Sequence, residues 1–504
     1  MVRRRWRKID GVTHRRSSRP RAGLAGRALR WLALGLGALA AAFALFVAAR
    51  ILLYRQSDDR THLAAKRDYL ARLAALAGDQ PAGPNLVVIL FDDLGYGDLG
   101  AYGTAAIRTP RLDRLAEEGL RFTHAYAASP YCSASRAALL TGRYAVRAGL
   151  DHVLQAPGTF TDQLLKLGWR NRRLPAEEIT LAEALRAVGY RTAIFGKWHL
   201  GSASPSLPTD LGFDEYYGLL YSNDQGRPEV WHNREVVEPH PIDQTTLTRR
   251  YTERAVAFLD ANRDRPFFLY LPHTFPHIPL HVSADRLGTS EGGLYGDVVE
   301  ELDDSVGAVL DALERLELAD ETLIVASSDN GPWFQGSPGG TRGRKLDIFE
   351  GGMRVPLLVR WPGRLEGGRV VDEPVVSVDL FPTVLELAGL PAPADRIVDG
   401  RSLVPLLEGG EIAERPIWYY QLGELRAVRS GRFKYHDRHG VFYGNPMDWP
   451  WGPMKRRGPW LFDLELDPDE SYDISARHPE VARRLRELLE ARQREFAENP
   501  RGWR

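Results

Sequence analysis

The chain has 504 residues, 44% of them hydrophobic, and its 66 basic side chains are matched by 66 acidic ones. That length suits one large α/β domain with an accessory unit, and the ordinary apolar content excludes extensive disorder. The neutrality conceals an asymmetry: residues 1–30 carry eleven Arg/Lys against one acid, leaving 55 basic and 65 acidic residues beyond. An acidic body of this kind is not a nucleic-acid-binding one.

The basic stretch from Arg3 to Arg30 runs into Trp31 to Ala49, nineteen residues without a charge. About 20 such residues cross a bilayer as a helix. The segment is expected to be a transmembrane anchor over 31–54, with 1–30 a basic cytoplasmic tail. The positive-inside rule then puts the large domain outside the cytoplasm, periplasmic or extracellular. A cleaved signal peptide is the alternative, but its apolar region is normally only about 7 to 15 residues. No clean small-x-small cleavage site precedes Arg50, and Arg3-Arg4-Arg5 lies too far from the apolar run for a twin-arginine signal. Residues 55–83, charged and rich in Leu and Ala, read as an amphipathic helix serving as a membrane-proximal spacer.

Leu86 to Phe91 is a continuous apolar run between Pro84 and Asp92, the pattern of a strand covered on both faces. Arg191 to Phe195, Phe267 to Leu271, Leu323 to Ser327 and Leu357 to Trp361 repeat it, with helical patterns at Leu181 to Val188 and Val298 to Leu316. The alternation predicts an α/β body over 84–390, a central sheet flanked by helices with ligands beyond the carboxyl ends of its strands. Past Pro391 the pattern changes to short strands at Trp418 to Tyr420, Leu425 to Val428 and Phe433 to Tyr435, then a helix over Pro479 to Phe496. A small antiparallel sheet with one helix is expected for 391–504.

Asp92 and Asp93 follow one strand, and Asp329 and Asn330 another. This all-oxygen set suits Ca²⁺ or Mg²⁺ and argues against zinc, although an Asp-Asp or Asp-Asn step alone is usually a solvated turn. The single cysteine, Cys132, cannot form an internal disulfide; with Arg136 four residues on, it invites a reading as a reactive group rather than a small buried hydrophobe.

The run Cys132-Ser133-Ala134-Ser135-Arg136 and its continuation to Thr141-Gly142-Arg143 closely resemble the type I sulfatases, of the alkaline phosphatase-like superfamily. The likeness extends to Asn85–Gly103, Gly196-Lys197-Trp198-His199-Leu200-Gly201, Tyr221-Ser222-Asn223-Asp224, Pro276-His277-Ile278-Pro279-Leu280 and Ser328–Pro356. The resemblance implies an alkaline phosphatase-like mixed sheet, a sulfate monoester (aryl or carbohydrate) as substrate, and Ca²⁺, with Mg²⁺ the alternative, on Asp92, Asp93, Asp329, Asn330 and position 132. It also implies that a maturase oxidises Cys132 to formylglycine. One hydroxyl of the hydrated aldehyde attacks sulfur and the other later loses a proton to expel sulfate.

Carried over residue by residue, the resemblance sets the Arg136 guanidinium beside this nucleophile. Lys197 binds sulfate and the nucleophile, and His199 takes the proton of the second hydroxyl. His277 reaches the bridging oxygen, Lys345 binds sulfate, and either could protonate the leaving oxygen. Ser222 matches an assisting serine. Ala134 departs from the usual proline, which is the residue favoured by the oxygen-dependent formylglycine-generating enzyme; alanine is more at home with the radical maturase.

His273 and His281 flank His277, but a lone histidine is more often a satisfied structural group. Asp448 to Pro453, with Trp460, reads as packing of the C-terminal unit or as an aromatic wall. Specificity loops are expected at 154–173, 229–244 and 441–460. Two other functions compete: a phosphonate monoester or phosphodiester hydrolase of the same superfamily, and a non-catalytic sulfate-binding protein.

Overall fold

The computed structural model describes residues 23–77, 83–437, 439–440 and 456–504. Most of the basic tail, the 448–453 aromatic stretch and most of the 441–460 loop lie outside the described residues. The chain divides into two units, residues 1–55 and Gln56 to Arg504. In the first, helix α1 (Gly23–Leu53) is long and apolar enough over Gly26–Leu53 to cross a membrane, by length and composition.

The second unit begins with α2 (Arg60–Leu76), whose Asp59 side chain caps the first turn by accepting the amides of Thr61 and His62. It is docked rather than a free spacer. Lys66 is buried, donates to the carbonyls of Ala176 (2.8 Å) and Glu178 (2.6 Å), and pairs with Glu183 at 2.6 Å. Leu73 is fully buried, so α2 belongs to the body.

Among the described residues the central sheet has eleven strands: β1 (Asn85–Phe91), β2 (Leu120–Tyr126), β3 (Arg191–Lys197), β4 (Glu215–Leu219), β5 (Val230–His232), β6 (Glu235–Glu238), β7 (Phe267–Pro272), β8 (Thr322–Ser328), β9 (Arg354–Arg360), β10 (Arg369–Val371) and β11 (Val375–Val376). Their order is β10-β2-β9-β8-β1-β7-β3-β4-β5-β6, with β11 also on β2. β1 pairs in parallel with β7 and β8, and β3 with β4 and β7. β9 runs antiparallel to both β2 and β8. The sheet is therefore mixed.

Alternation along β1 explains its unbroken apolar run. Leu86, Val88 and Leu90 enter one core layer with Leu139, Leu140, Leu181 and Leu185, from α4 (Cys132–Thr141) and α6 (Leu181–Ala187). Val87, Ile89 and Phe91 enter the opposite layer with Leu247, Phe258, Val298 and Leu302, from α7 (Leu247–Ala261) and α8 (Gly293–Arg315). Helix α3 (Pro110–Glu117) lies on this second side through Leu112 and Leu115, and α5 (Phe160–Leu167) stands in the 154–173 loop.

The C-terminal residues form an antiparallel sheet of β12 (Ile417–Gln421), β13 (Glu424–Ser430), β14 (Phe433–His436) and the strand Trp460–Asp463. Leu485 and Leu489 of the helix Pro479–Glu498 pack on it, in a layer that also takes in Tyr126 and Ala138 of the body. Trp460 packs tilted or edge-on against Phe349 of the body and against His436 and Phe462 of this sheet.

Candidate active site

The carboxyl ends of β1, β3 and β8 meet the first turn of α4. Asp92 and Asp93 leave β1, Lys197 ends β3, Asp329 and Asn330 leave β8, and Cys132 opens α4. All six are buried. Helix α4 ends where Gly142 adopts φ 67°, the left-handed cap that glycine takes without strain.

The ions interlock. Arg136 donates from Nε to Asp329 Oδ2 at 2.9 Å and from Nη1 to the Lys197 carbonyl at 2.8 Å. Lys197 Nζ bonds Asp92 Oδ2 and reaches Ser222 Oγ at 3.1 Å. Lys345 Nζ donates to Asp93 Oδ2 at 2.8 Å, and Asn330 Nδ2 to Asp93 Oδ1 at 2.7 Å. Burial opposes charge on Asp92, but Lys197 and Arg136 hold its carboxyl well below the usual range. Burial, with Asp92 alongside, pushes Asp329 up to about 7.

Two oxygens in this centre, Asp92 Oδ1 and Asn330 Oδ1, are buried with no hydrogen-bond partner. Stranded oxygens of this kind suit a hard divalent cation. The donor atoms of Asp92, Cys132 and Asp329 lie within 4.8 Å of one another, as do those of Asp92, Asp93 and His277. Asp92, Asp93, Asp329 and Asn330 thus fit Ca²⁺ or Mg²⁺. Burial also pushes the Cys132 thiol up, against the pull of Lys197 and Lys345. An unmodified Cys132 is therefore a poor nucleophile at neutral pH.

The histidines are fixed by carbonyls, which only accept. His199 Nε2 lies 2.9 Å from the Leu154 carbonyl and so carries the proton, leaving Nδ1 buried without a partner. Burial and the Lys197 charge hold His199 well below its ordinary value. His277 Nδ1 lies 2.5 Å from the Ile278 carbonyl, and its Nε2 is 3.8 Å from Asp93 Oδ2. Burial and Lys345 lower it too. Lys345 is raised, since Asp93 and other nearby anions outweigh its burial.

Every candidate site residue thus lies in one cluster: Cys132, Arg136, Lys197, His199, Ser222, His277, Lys345, Asp92, Asp93, Asp329 and Asn330. His273 stacks on Phe91, donates to or accepts from Ser305 at 3.3 Å and is lowered to about 3 by burial, as a structural histidine is. His281 is half-buried against Phe275. Two supports escaped the sequence reading. Asn223 Oδ1 sits 3.2 Å from His277 Nδ1, and Ser133 Oγ accepts the Leu154 amide at 3.0 Å, fixing the carbonyl that holds His199. Both lie inside segments already singled out, and their polarity was the available signal.

The family model for sulfatases matches residues 84–390, and that for the C-terminal region of N-sulphoglucosamine sulphohydrolase matches 344–495. N-acetylgalactosamine-6-sulfatase of Canis lupus familiaris is 41% identical over 391 residues, covering 73% of each chain. Steryl-sulfatase of Homo sapiens is 33% identical over 82% of this chain and 88% of its own. Among solved structures, the PsFucS1 sulfatase of Pseudoalteromonas sp. superposes with a TM-score of 0.74 at 26% identity, over 88% of this chain and 96% of the other. With the fold, the ionic centre and these matches in agreement, the chain belongs to the sulfatase family and is a sulfuric ester hydrolase.

Proposed function

We propose that the chain hydrolyses an aryl or carbohydrate sulfate monoester to an alcohol or phenol and inorganic sulfate, using formylglycine made from Cys132 by a maturase. Asp92, Asp93, Asp329 and Asn330 would hold Ca²⁺, with Mg²⁺ the alternative. One observation carries the reading: unpartnered Asp92 Oδ1 and Asn330 Oδ1 stand in a buried centre where Cys132 Sγ lies within 4.8 Å of the Asp92 and Asp329 donors. The bound cation supplies positive charge for the sulfate oxygens and lowers the pKa of an oxygen nucleophile, and formylglycine supplies the hydroxyls that a thiol lacks.

The chain's own groups divide the remaining work. Arg136 fixes the Asp329 carboxylate and the end of β3. Lys197 and Lys345 bring fixed positive charge to the sulfate oxygens. His199 is neutral with Nδ1 open, so it accepts the proton released at position 132. Of the two proton donors, Lys345 is favoured: Asp93 keeps it charged, whereas His277 is neutral with its proton on Nδ1 facing the Ile278 carbonyl. Ser222, 3.1 Å from Lys197 Nζ, helps orient it.

The apolar helix over Gly26–Leu53, preceded by nine basic residues and carrying Arg27 and Arg30 at its start, supports a membrane anchor with the body outside the cytoplasm. The N-acetylgalactosamine-6-sulfatase relatives support a sugar sulfate as substrate. Mass spectrometry of the peptide containing Cys132 from native material tests the chemistry, with an expected loss of about 18 Da. An intact thiol in active enzyme, or a preference for nitrophenyl phosphonate over nitrophenyl sulfate, would overturn the reading.

A further inference from the structure

Helix α5 is amphipathic with its faces reversed. Its acidic residue, Asp162, is fully buried, while Phe160 is 77% exposed and Leu164 48%. Phe160 and Leu164 are four apart and lie one above the other on the same side of the helix. Asp162 points the other way, where it bonds Arg172 Nε, accepts the Gly158 amide at 3.0 Å and pairs with Lys166 at 3.4 Å. Trp169, just beyond the helix, is 51% exposed. Folding has anchored the charged side of α5 and turned its apolar side outward, the arrangement of a helix whose apolar face meets something other than water.

The position of α5 in the chain identifies that neighbour. The segment that returns from it, Arg172 to Ala176, holds the first residues of the body. Gln56 accepts the Arg172 amide at 2.8 Å and donates to the Arg173 carbonyl at 3.0 Å. Asp58 forms a two-nitrogen pair with Arg173, both contacts 2.8 Å, and accepts the Ala176 amide at 2.9 Å. Gln56 follows Leu53, the last residue of the apolar helix, by three residues, at most about 10 Å of extended chain. When that helix is embedded in a bilayer, the Arg172–Ala176 segment is tethered at the bilayer surface, and α5 is carried on it.

We infer that Phe160, Leu164 and Trp169 form a second, monotopic contact with the lipid surface, entering the interfacial layer. Phe160 and Leu164 supply the apolar face, and an indole at the headgroup level is where tryptophan concentrates. The contact is built on the loop whose root, Leu154, bonds His199, so it ties the rim of the sulfate site to the membrane. The inference rests on the membrane-anchor reading above.

The test uses the full chain in nanodiscs holding one copy each, with single cysteines carrying an environment-sensitive fluorophore; buried Cys132 does not label. Labels go at Phe160→Cys, at Leu466→Cys (Leu466 is 79% exposed) and at Phe43→Cys within the apolar helix. Nitroxide on the lipid acyl chain is expected to quench the label at 160 at least about threefold more than that at 466, with aqueous iodide showing the reverse order. If position 43 is quenched by the lipid but 160 behaves like 466, the contact is overturned while the anchor stands. If position 43 also escapes the lipid quencher, both fall. Protection of 160 from both quenchers means that protein covers the helix, and that too overturns the lipid contact.

Discussion

Arg136 brings both Nε and Nη2 within 2.9 Å of one oxygen of Asp329, Oδ2, although the two residues stand 193 positions apart. Oδ1 of that carboxylate is left facing the Asp93 amide at 3.3 Å. The guanidinium thus neutralises the back of the carboxylate and leaves its front for the centre. It is also rigid, because Nη1 is committed to the Lys197 carbonyl.

Arg136→Lys keeps the charge but not the planar set of donors, so Lys197 and Asp329 lose their common brace. Nitrophenyl sulfate kinetics should show kcat/KM down about a hundredfold, the usual cost of an ångström-scale misplacement. Arg136→Ala leaves buried Asp329 and Asp92 undercompensated, and chemical denaturation should record about 3–5 kcal/mol lost.

Chelation should remove activity and lower Tm, since it returns the oxygens of Asp92 and Asn330 to their unpartnered state. Added Ca²⁺ should restore both. Asp92→Asn should weaken the response of Tm to Ca²⁺, which calorimetry across a Ca²⁺ titration would measure.

If Lys345 protonates the leaving oxygen, the loss in Lys345→Ala should depend on the leaving group. Alkyl sulfates, which need the proton, should lose on the order of 10²–10⁴-fold, and nitrophenyl sulfate markedly less. An equal loss on both would assign Lys345 to sulfate binding alone.

Asp399 is buried and accepts from Arg147 Nε and Nη2 (2.8 and 2.9 Å) and from Arg492 Nη2 (2.7 Å). Burial pushes its pKa up, but these arginines prevail and hold it below the ordinary carboxylate value. A carboxyl whose folded pKa is depressed stabilises fully above its unfolded pKa and loses that contribution as pH falls through the folded value. Asp399→Asn should therefore cost about 3–5 kcal/mol at pH 7, shrinking below about pH 4. Urea unfolding of both proteins at pH 7 and pH 3 would read the difference.

Lys434 lies between two carboxylates, 3.0 Å from Glu350 and 3.2 Å from Glu470, all three buried. Lys434→Met removes the cation the two acids share, leaving Glu350 with the Tyr126 hydroxyl and Glu470 with His436. A loss of about 3–5 kcal/mol in chemical denaturation is expected.

Much of this protein was legible in its residues. The run Leu86 to Phe91 had to be a strand covered on both faces, because only burial on either side accommodates six consecutive apolar side chains there. The acids and amide at the ends of β1 and β8 stood out as an all-oxygen set, and the resemblance of their segments and of the Cys132–Arg136 run to the sulfatases marked them as a site. These are local signals, carried within a few positions of chain.

The rest depended on neighbours distant in sequence. Apolar patterning does not encode strand direction, so the antiparallel course of β9 between β2 and β8 emerged only on pairing. Lys66 looked like a solvated residue of a spacer until Ala176, Glu178 and Glu183 received it. Helix α5 has an ordinary amphipathic pattern, and only the burial of Asp162 against Arg172 shows that its apolar side faces out. Likewise the proton positions on His199 and His277 were set by the carbonyls of Leu154 and Ile278, and the open oxygens of Asp92 and Asn330 by what failed to reach them. Residue type and periodicity belong to the sequence; burial and hydrogen-bond partnership, which fix charge state and reactivity, exist only once distant segments have packed.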